Sequence, residues 1–179
     1  KKKSINAIYK SFYSNDIQES VKAVKSLGIK GFAVSMPFKV DVLEYVDELD
    51  DAVTTIGSAN TIVNDDGYLK AYNTDYLGVM EYLKTLSIRH LYILGNGGFG
   101  KAIQYACRLL EINYTTITRA SWTLIKSLKN ETLFNATPVD VISTDNIIID
   151  GRPFTNTGKE ISLEQAKIQF KIYTGIDYE

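Results

Sequence analysis

At 179 residues, 45% apolar and 23% charged, the chain can bury one good core or two small domains. A net charge of −1 without a basic stripe argues against a nucleic-acid surface, and no apolar run approaches the roughly 18 residues of a membrane span. Cys107 is the only cysteine and His90 the only histidine; this excludes an internal disulfide, argues against zinc chemistry or a Ser-His-Asp triad, and leaves no metal expected.

In chain order, Lys1-Lys2-Lys3 has the charge of a leader peptide but not the apolar stretch that should follow, so a cytoplasmic protein is expected. Ile5 to Phe12 reads as a strand. Asp16 to Leu27 reads as a helix, because Ile17, Val21, Val24 and Leu27 recur at helical spacing between a capping Asp16 and a stopping Gly28. A strand from Gly31 to Ser35 ends at Pro37, so the first forty residues predict a β-α-β unit. Short helices are expected over 38–47 and 49–57. Asn60 to Asn64 and Tyr68 to Asn73 flank Asp65-Asp66-Gly67, a hairpin turn because glycine accepts positive φ. Asp75 to Leu86 predicts a helix with Leu77, Met80 and Leu83 on one face, and a domain boundary falls near 86–89.

The second half restarts with a strand, Leu91 to Leu94, running into Gly95-Asn96-Gly97-Gly98-Phe99-Gly100. A helix over Phe99 to Leu110 and a strand over Tyr114 to Thr118 complete the βαβ order of a nucleotide fold. A helix at 121–129, strands near 132–135 and 146–150, and a last helix at about 160–172 follow. Gly95, Gly97 and Gly100 meet the three needs of a dinucleotide turn: a tight bend, close backbone approach to pyrophosphate, and close helix–strand packing. About twenty residues on, where the ribose is read, Thr118-Arg119-Ala120 offers no carboxylate. An arginine there can pair with a 2′-phosphate, which favours NADP over NAD; an ordinary solvated arginine is the alternative.

Ketone reduction takes a hydride on carbon and a proton on oxygen. Lys39, just past a strand end, and Asp75, at a helix start, could form the acid/base couple if they converge. From spacing alone the plainer readings prevail, a surface lysine and a helix N-cap.

Six blocks then occur in order: Val34-Ser35-Met36-Pro37-Phe38-Lys39, Ile56-Gly57-Ser58-Ala59-Asn60-Thr61, Tyr72-Asn73-Thr74-Asp75, Leu94-Gly95-Asn96-Gly97-Gly98, Asn135-Ala136-Thr137-Pro138, and Leu163-Glu164-Gln165-Ala166 before Gln169-Phe170 and Tyr173-Thr174-Gly175. Together they resemble the shikimate dehydrogenases, particularly the shikimate-dehydrogenase-like branch, over nearly the whole chain. The resemblance implies an oxidoreductase of aromatic amino acid biosynthesis that interconverts 3-dehydroshikimate and shikimate, or a quinate-like polyol, with NADP. It implies Lys39 and Asp75 as the catalytic pair, with Ser35, Asn60 and Gln165 binding substrate. Gly95, Gly97, Gly98, Gly100, Arg119, Asn135 and Thr137 would hold the cofactor.

The implied fold is α/β: an N-terminal α/β substrate domain (1–86), a reduced Rossmann-like NADP-binding domain (87–158), and a C-terminal helix (159–179) returning to the substrate domain. Expected partners are a small polyol carboxylate and a second copy in a homodimer, with neither nucleic acid nor membrane. Against the family pattern, the strand carrying two carboxylate-binding serines is missing ahead of Lys1. Helix–strand portions are short between Arg119 and Asn135 and again between Pro153 and Gly158, where the family's tyrosine near the nicotinamide is also lost. A catalytically impaired binding or regulatory module is therefore the alternative expectation.

Overall fold

Helix α1 (Ile17–Ser26) is the first regular element of the computed structural model, which describes residues 5–178. Asp16 caps it by accepting the Glu19 amide at 3.0 Å, and Gly28 ends it in the left-handed region at φ 62°. Ahead of it, the predicted strand over Ile5 to Phe12 does not form: these residues have no regular structure, and Ile8 and Phe12 are 95% and 81% exposed. A strand exists only through a neighbour that takes its backbone hydrogen bonds, and no strand among the described residues pairs with this segment. The β-α-β reading of the first forty residues is corrected to α-β.

Strands β1 (Gly31–Ala33), β2 (Glu48–Leu49), β3 (Thr61–Asp65) and β4 (Tyr68–Tyr72) form a mixed sheet in the order β1-β3-β4-β2. The β3–β4 turn places Asp66 at φ 46° and Gly67 at φ 99°, the double positive φ that matches the twist of a two-residue hairpin. The predicted helix at 38–47 is a turn followed by a 3₁₀ stretch over Asp41–Tyr45, and the sequence reading did not separate β2 from α2 (Asp51–Ile56). Val21, Val34, Val42, Val53, Ile62 and Leu69 are the core beneath this sheet.

Helix α3 (Asp75–Lys84) leads to the second sheet, built from β5 (His90–Leu94), β6 (Asn113–Ile117), β7 (Thr132–Asn135) and β8 (Ile147–Asp150). All its pairings are parallel, in the order β6-β5-β7-β8. The chain thus lays β6 on one side of β5 and β7 on the other, so the order reverses at β5. Ligands of open parallel sheets bind at such a reversal, beyond the carboxyl ends of the strands. The fold is α/β, with a small Rossmann-like sheet of four strands.

Helix α4 (Gly98–Leu109) and helix α5 (Asn156–Thr174) cover the second sheet together with α3. Their shared core holds Val79, Leu83, Ile93, Ile103, Phe134, Ile149 and Ile161. Cys107 lies within it with no exposure, and burial pushes its thiol up to about 12, so it is an inert core residue. Predicted helix 121–129 is a 3₁₀ stretch over Arg119–Ser127. Ala52 and Ile56 of α2 pack on Ala102 of α4, with Tyr76 and Tyr105 stacked edge-on at 4.9 Å, so apolar contacts join the two halves.

Helix α5 starts four residues earlier than the sequence pattern predicts, because Thr155 caps it through the Gly158 amide and also bonds the Asp150 carbonyl at 2.8 Å. Arg152 grips Asp150 through Nε–Oδ1 at 3.0 Å and Nη2–Oδ2 at 2.6 Å, and reaches Asp140 at 2.6 Å. Burial raises the Asp150 pKa, but the Arg152 hydrogen bonds and charge together outweigh it and hold the carboxyl below its ordinary value. A carboxyl depressed on folding stabilises fully above its unfolded pKa of about 4 and loses that contribution as pH falls through the folded value. Urea unfolding should therefore find Arg152→Gln less stable than the parent protein at neutral pH. The gap should narrow in acid; a constant gap from neutral to strongly acid conditions would contradict this assignment.

Candidate active site

Lys39 and Asp75 are 36 residues apart in sequence and meet as an ion pair, Nζ to Oδ2 at 2.6 Å. Their side chains are only 17% and 10% exposed, so the pair is partly shielded and strengthened relative to one in water. Lys39 lies on the turn after β1, and its carbonyl accepts the Ala59 amide at 2.8 Å. Asp75 is the first residue of α3, yet it does not cap that helix. Thr74 holds the N-cap position without a side-chain cap bond, Asn73 Oδ1 accepts the Asp75 amide at 3.1 Å, and the Asp75 carboxylate faces Lys39.

Asn60, directly before β3, holds the other carboxylate oxygen: its Nδ2 donates to Asp75 Oδ1 at 2.9 Å. The orientation of that amide is determined, because Oδ1 accepts the backbone N–H of Thr74 at 2.8 Å, and a backbone N–H can only donate. Thr61 Oγ1 also donates to Asn60 Oδ1, at 2.9 Å. From α5, Gln165 Nε2 donates to Thr74 Oγ1 at 2.8 Å. Thus Lys39, Asp75, Asn60 and Gln165 belong to one connected polar cluster. Ser35 is exposed on the strand end beside the Lys39 turn and is outside the cluster.

The glycine turn follows β5 directly. Gly95 has φ 107°, and its amide is bonded to Ile117 of β6, while Leu94 accepts the Ala136 amide from beyond β7. A Cβ at Gly95 would lie 3.0 Å from Thr137 Cγ2, and one at Gly100 would strike the Gly95 carbonyl. At Gly97 a Cβ would meet nothing within 4 Å, and no side chain caps the α4 N-terminus there. Free helix amides beside open space and flanking glycines fit a pyrophosphate. Asn135 is fully buried, accepts from Thr137 Oγ1 at 2.7 Å and donates to the Val139 carbonyl at 2.9 Å, shaping the loop beside the turn. Arg119 is exposed at the end of β6, directly after Thr118, whose side chain and Ser121 cap the 3₁₀ stretch.

The two clusters adjoin. A Cβ at Gly98 would lie 3.2 Å from Ser58 Oγ and 3.9 Å from Lys39 Cβ. Thr61, Thr74, Ser58 and Gln169 received no individual role from the sequence. The available signal was the four-residue spacing of Gln165 and Gln169, which puts both amides on one face of α5. Among the described residues, no cluster of His, Cys, Asp and Glu could hold a metal, and no helix is long and apolar enough to cross a membrane.

A model of the shikimate dehydrogenase substrate binding domain matches residues 1–62. A shikimate dehydrogenase-like protein of Haemophilus influenzae is 42% identical over 105 residues, 57% of this chain and 39% of that relative. The NADP(+) shikimate dehydrogenase of Methanosphaera stadtmanae is 35% identical over 150 residues, 79% of this chain and 53% of that one. Among solved structures, a shikimate 5-dehydrogenase-like protein superposes with TM-score 0.77 at 26% identity, covering 96% of this chain and 82% of that chain. The fold is also that of a shikimate dehydrogenase solved with NADP+, at TM-score 0.73 and 24% identity, covering 93% and 78%. In sequence and in fold the chain is similar to the shikimate dehydrogenases. It spans about half the length of the curated relatives it matches, 39% of the first and 53% of the second.

Proposed function

We propose that the protein is an NADP-dependent oxidoreductase that interconverts 3-dehydroshikimate and shikimate, or a quinate-like polyol, with Lys39 and Asp75 as its acid/base pair. The observation that carries this reading is the 2.6 Å Lys39–Asp75 contact, with the glycine turn adjoining the same lysine. Bound NADP supplies the hydride acceptor, or NADPH the donor. In the reducing direction the Lys39 ammonium gives its proton to the ketone oxygen, and in the oxidising direction the neutral amine takes the hydroxyl proton. Asp75 keeps the lysine nitrogen in place, and Asn60 in turn keeps the carboxylate from rotating. Ser35, Asn60 and Gln165 would bond the polyol, while Gly95, Gly97, Gly98, Gly100, Asn135, Thr137 and Arg119 would line the dinucleotide.

In this reading residues 1–86 hold substrate, 87–158 hold cofactor, and 159–179 return a helix to the substrate side. Named relatives support the substrate class: one is an NADP(+) shikimate dehydrogenase, and a structural neighbour was solved with NADP(H) and shikimate. The test is purified full-length chain with NADP+ and shikimate, then quinate, followed at the reduced-nicotinamide absorbance band. Steady growth of that band is expected. Calorimetric binding of shikimate without any turnover would instead favour a binding or regulatory module.

A further inference from the structure

Gln169 is buried on α5, one helical turn beyond Gln165, and its amide reaches Asn60 and Thr61, where β3 begins. Its Nε2 lies 3.4 Å from the Asn60 carbonyl oxygen, which can only accept, and donates to Thr61 Oγ1 at 2.8 Å. The carbonyl therefore selects the amide orientation. A Thr61 hydroxyl that receives the Gln169 hydrogen must direct its own hydrogen elsewhere, and Asn60 Oδ1 stands 2.9 Å away. With the Thr74 amide on the same oxygen, Asn60 has only acceptors left to offer its Nδ2, and Asp75 Oδ1 is one of them.

We infer that Gln169 is a positioning residue for the reaction: the Thr74 amide fixes which way the Asn60 amide faces, and Gln169, through Thr61, holds Asn60 in place and, through Asn60, Asp75. The inference rests on the Lys39/Asp75 reading proposed above. Gln169 touches none of Lys39, Asp75 or the glycine turn, so it acts only through that chain of hydrogen bonds. The last helix thus does more than close the site: it sends one amide to each of the two threonine hydroxyls flanking Asn60, Gln165 to Thr74 and Gln169 to Thr61.

The experiment is a double-mutant cycle on the full chain, read as kcat and KM for shikimate. Gln169→Met and Thr61→Val are each expected to lower kcat about 10- to 100-fold, because a misplaced catalytic group costs that much when binding is intact, with KM changed by no more than about twofold. Since both variants break one chain, the double variant should be no worse than the poorer single, and Thr61→Ser should restore parental kcat. In parallel, the Asn60 side-chain amide protons, followed by NMR, should lose exchange protection in Gln169→Met. That signal needs no turnover and decides the matter if the parent protein is inactive.

Lys39→Met separates the two levels. Parental turnover in Lys39→Met would overturn the acid/base reading and this inference with it. An inactive Lys39→Met alongside a fully active Gln169→Met, strictly additive losses in the double variant, or unchanged Asn60 protection would each overturn the role of Gln169 alone. Should Gln169→Met fail to fold, full activity in Thr61→Val does the same.

Discussion

Lys39→Met should bring shikimate oxidation down by about 10²- to 10⁴-fold, the usual contribution of a positioned acid or base. Methionine keeps most of the aliphatic stem in place and removes the proton carrier. The change also leaves Asp75 in a largely enclosed site with Asn60 as its remaining side-chain donor. Removing one member of a buried ion pair costs about 3–5 kcal/mol, and the residual exposure here places the expected loss towards the lower end. Stability and turnover must therefore be measured on the same preparation. Shikimate affinity by calorimetry should fall far less than kcat, because Asn60 and Gln165 are untouched. An equal fall in affinity and rate would make Lys39 a binding residue without a role in proton transfer.

Gly78→Ala should produce the second large effect, at a distance from the chemistry. Gly78 lies in α3 where α5 crosses it, and an added Cβ would stand 2.7 Å from the Ile161 carbonyl and 2.8 Å from Gln165 Cβ. Two of its three nearest neighbours are backbone atoms, which cannot swing away, so the helices must separate. Overpacking of this kind costs about 1–3 kcal/mol. Separation would also withdraw Gln165 and Gln169 from Thr74 and Thr61. Denaturant unfolding should show the stability loss, and turnover of the remaining folded protein should fall as well. Parental stability with parental kcat would mean that α5 does not pack this tightly on α3.

The parts legible in the sequence were those written in local chemistry. Asp66-Gly67 announces its turn because two consecutive positive φ values suit few other pairs, and Asp16 with Gly28 brackets α1 for similarly local reasons. The strand–glycine–helix order around Gly95 was readable too, since its conformational demands lie within six residues. Ile5 to Phe12 misled because strand-like composition does not make a strand without a partner edge. Glu48–Leu49 was invisible because two residues become a strand only through pairing with Lys70 and Ala71.

The site divides the same way. Lys39, Asp75, Asn60 and Gln165 were singled out by resemblance, whereas their meeting depends on a turn, a strand start and two helices brought together from across the chain. That Asn73 rather than Asp75 satisfies the helix amides could not be read from the order Asn73-Thr74-Asp75, in which each residue type is able to cap. The parts played by Thr61 and Gln169 are hydrogen bonds between distant parts of the chain, and such contacts have no signature in one dimension.

The most direct measurement is a crystal structure of the full chain with NADP+ and shikimate. A substrate hydroxyl oxygen should lie about 2.6–3.2 Å from Lys39 Nζ, the reach of a proton transfer, with its carbon facing the nicotinamide above the glycine turn. Shikimate lodged away from Lys39, or a dinucleotide bound elsewhere than at Gly95 to Gly100, would contradict the account.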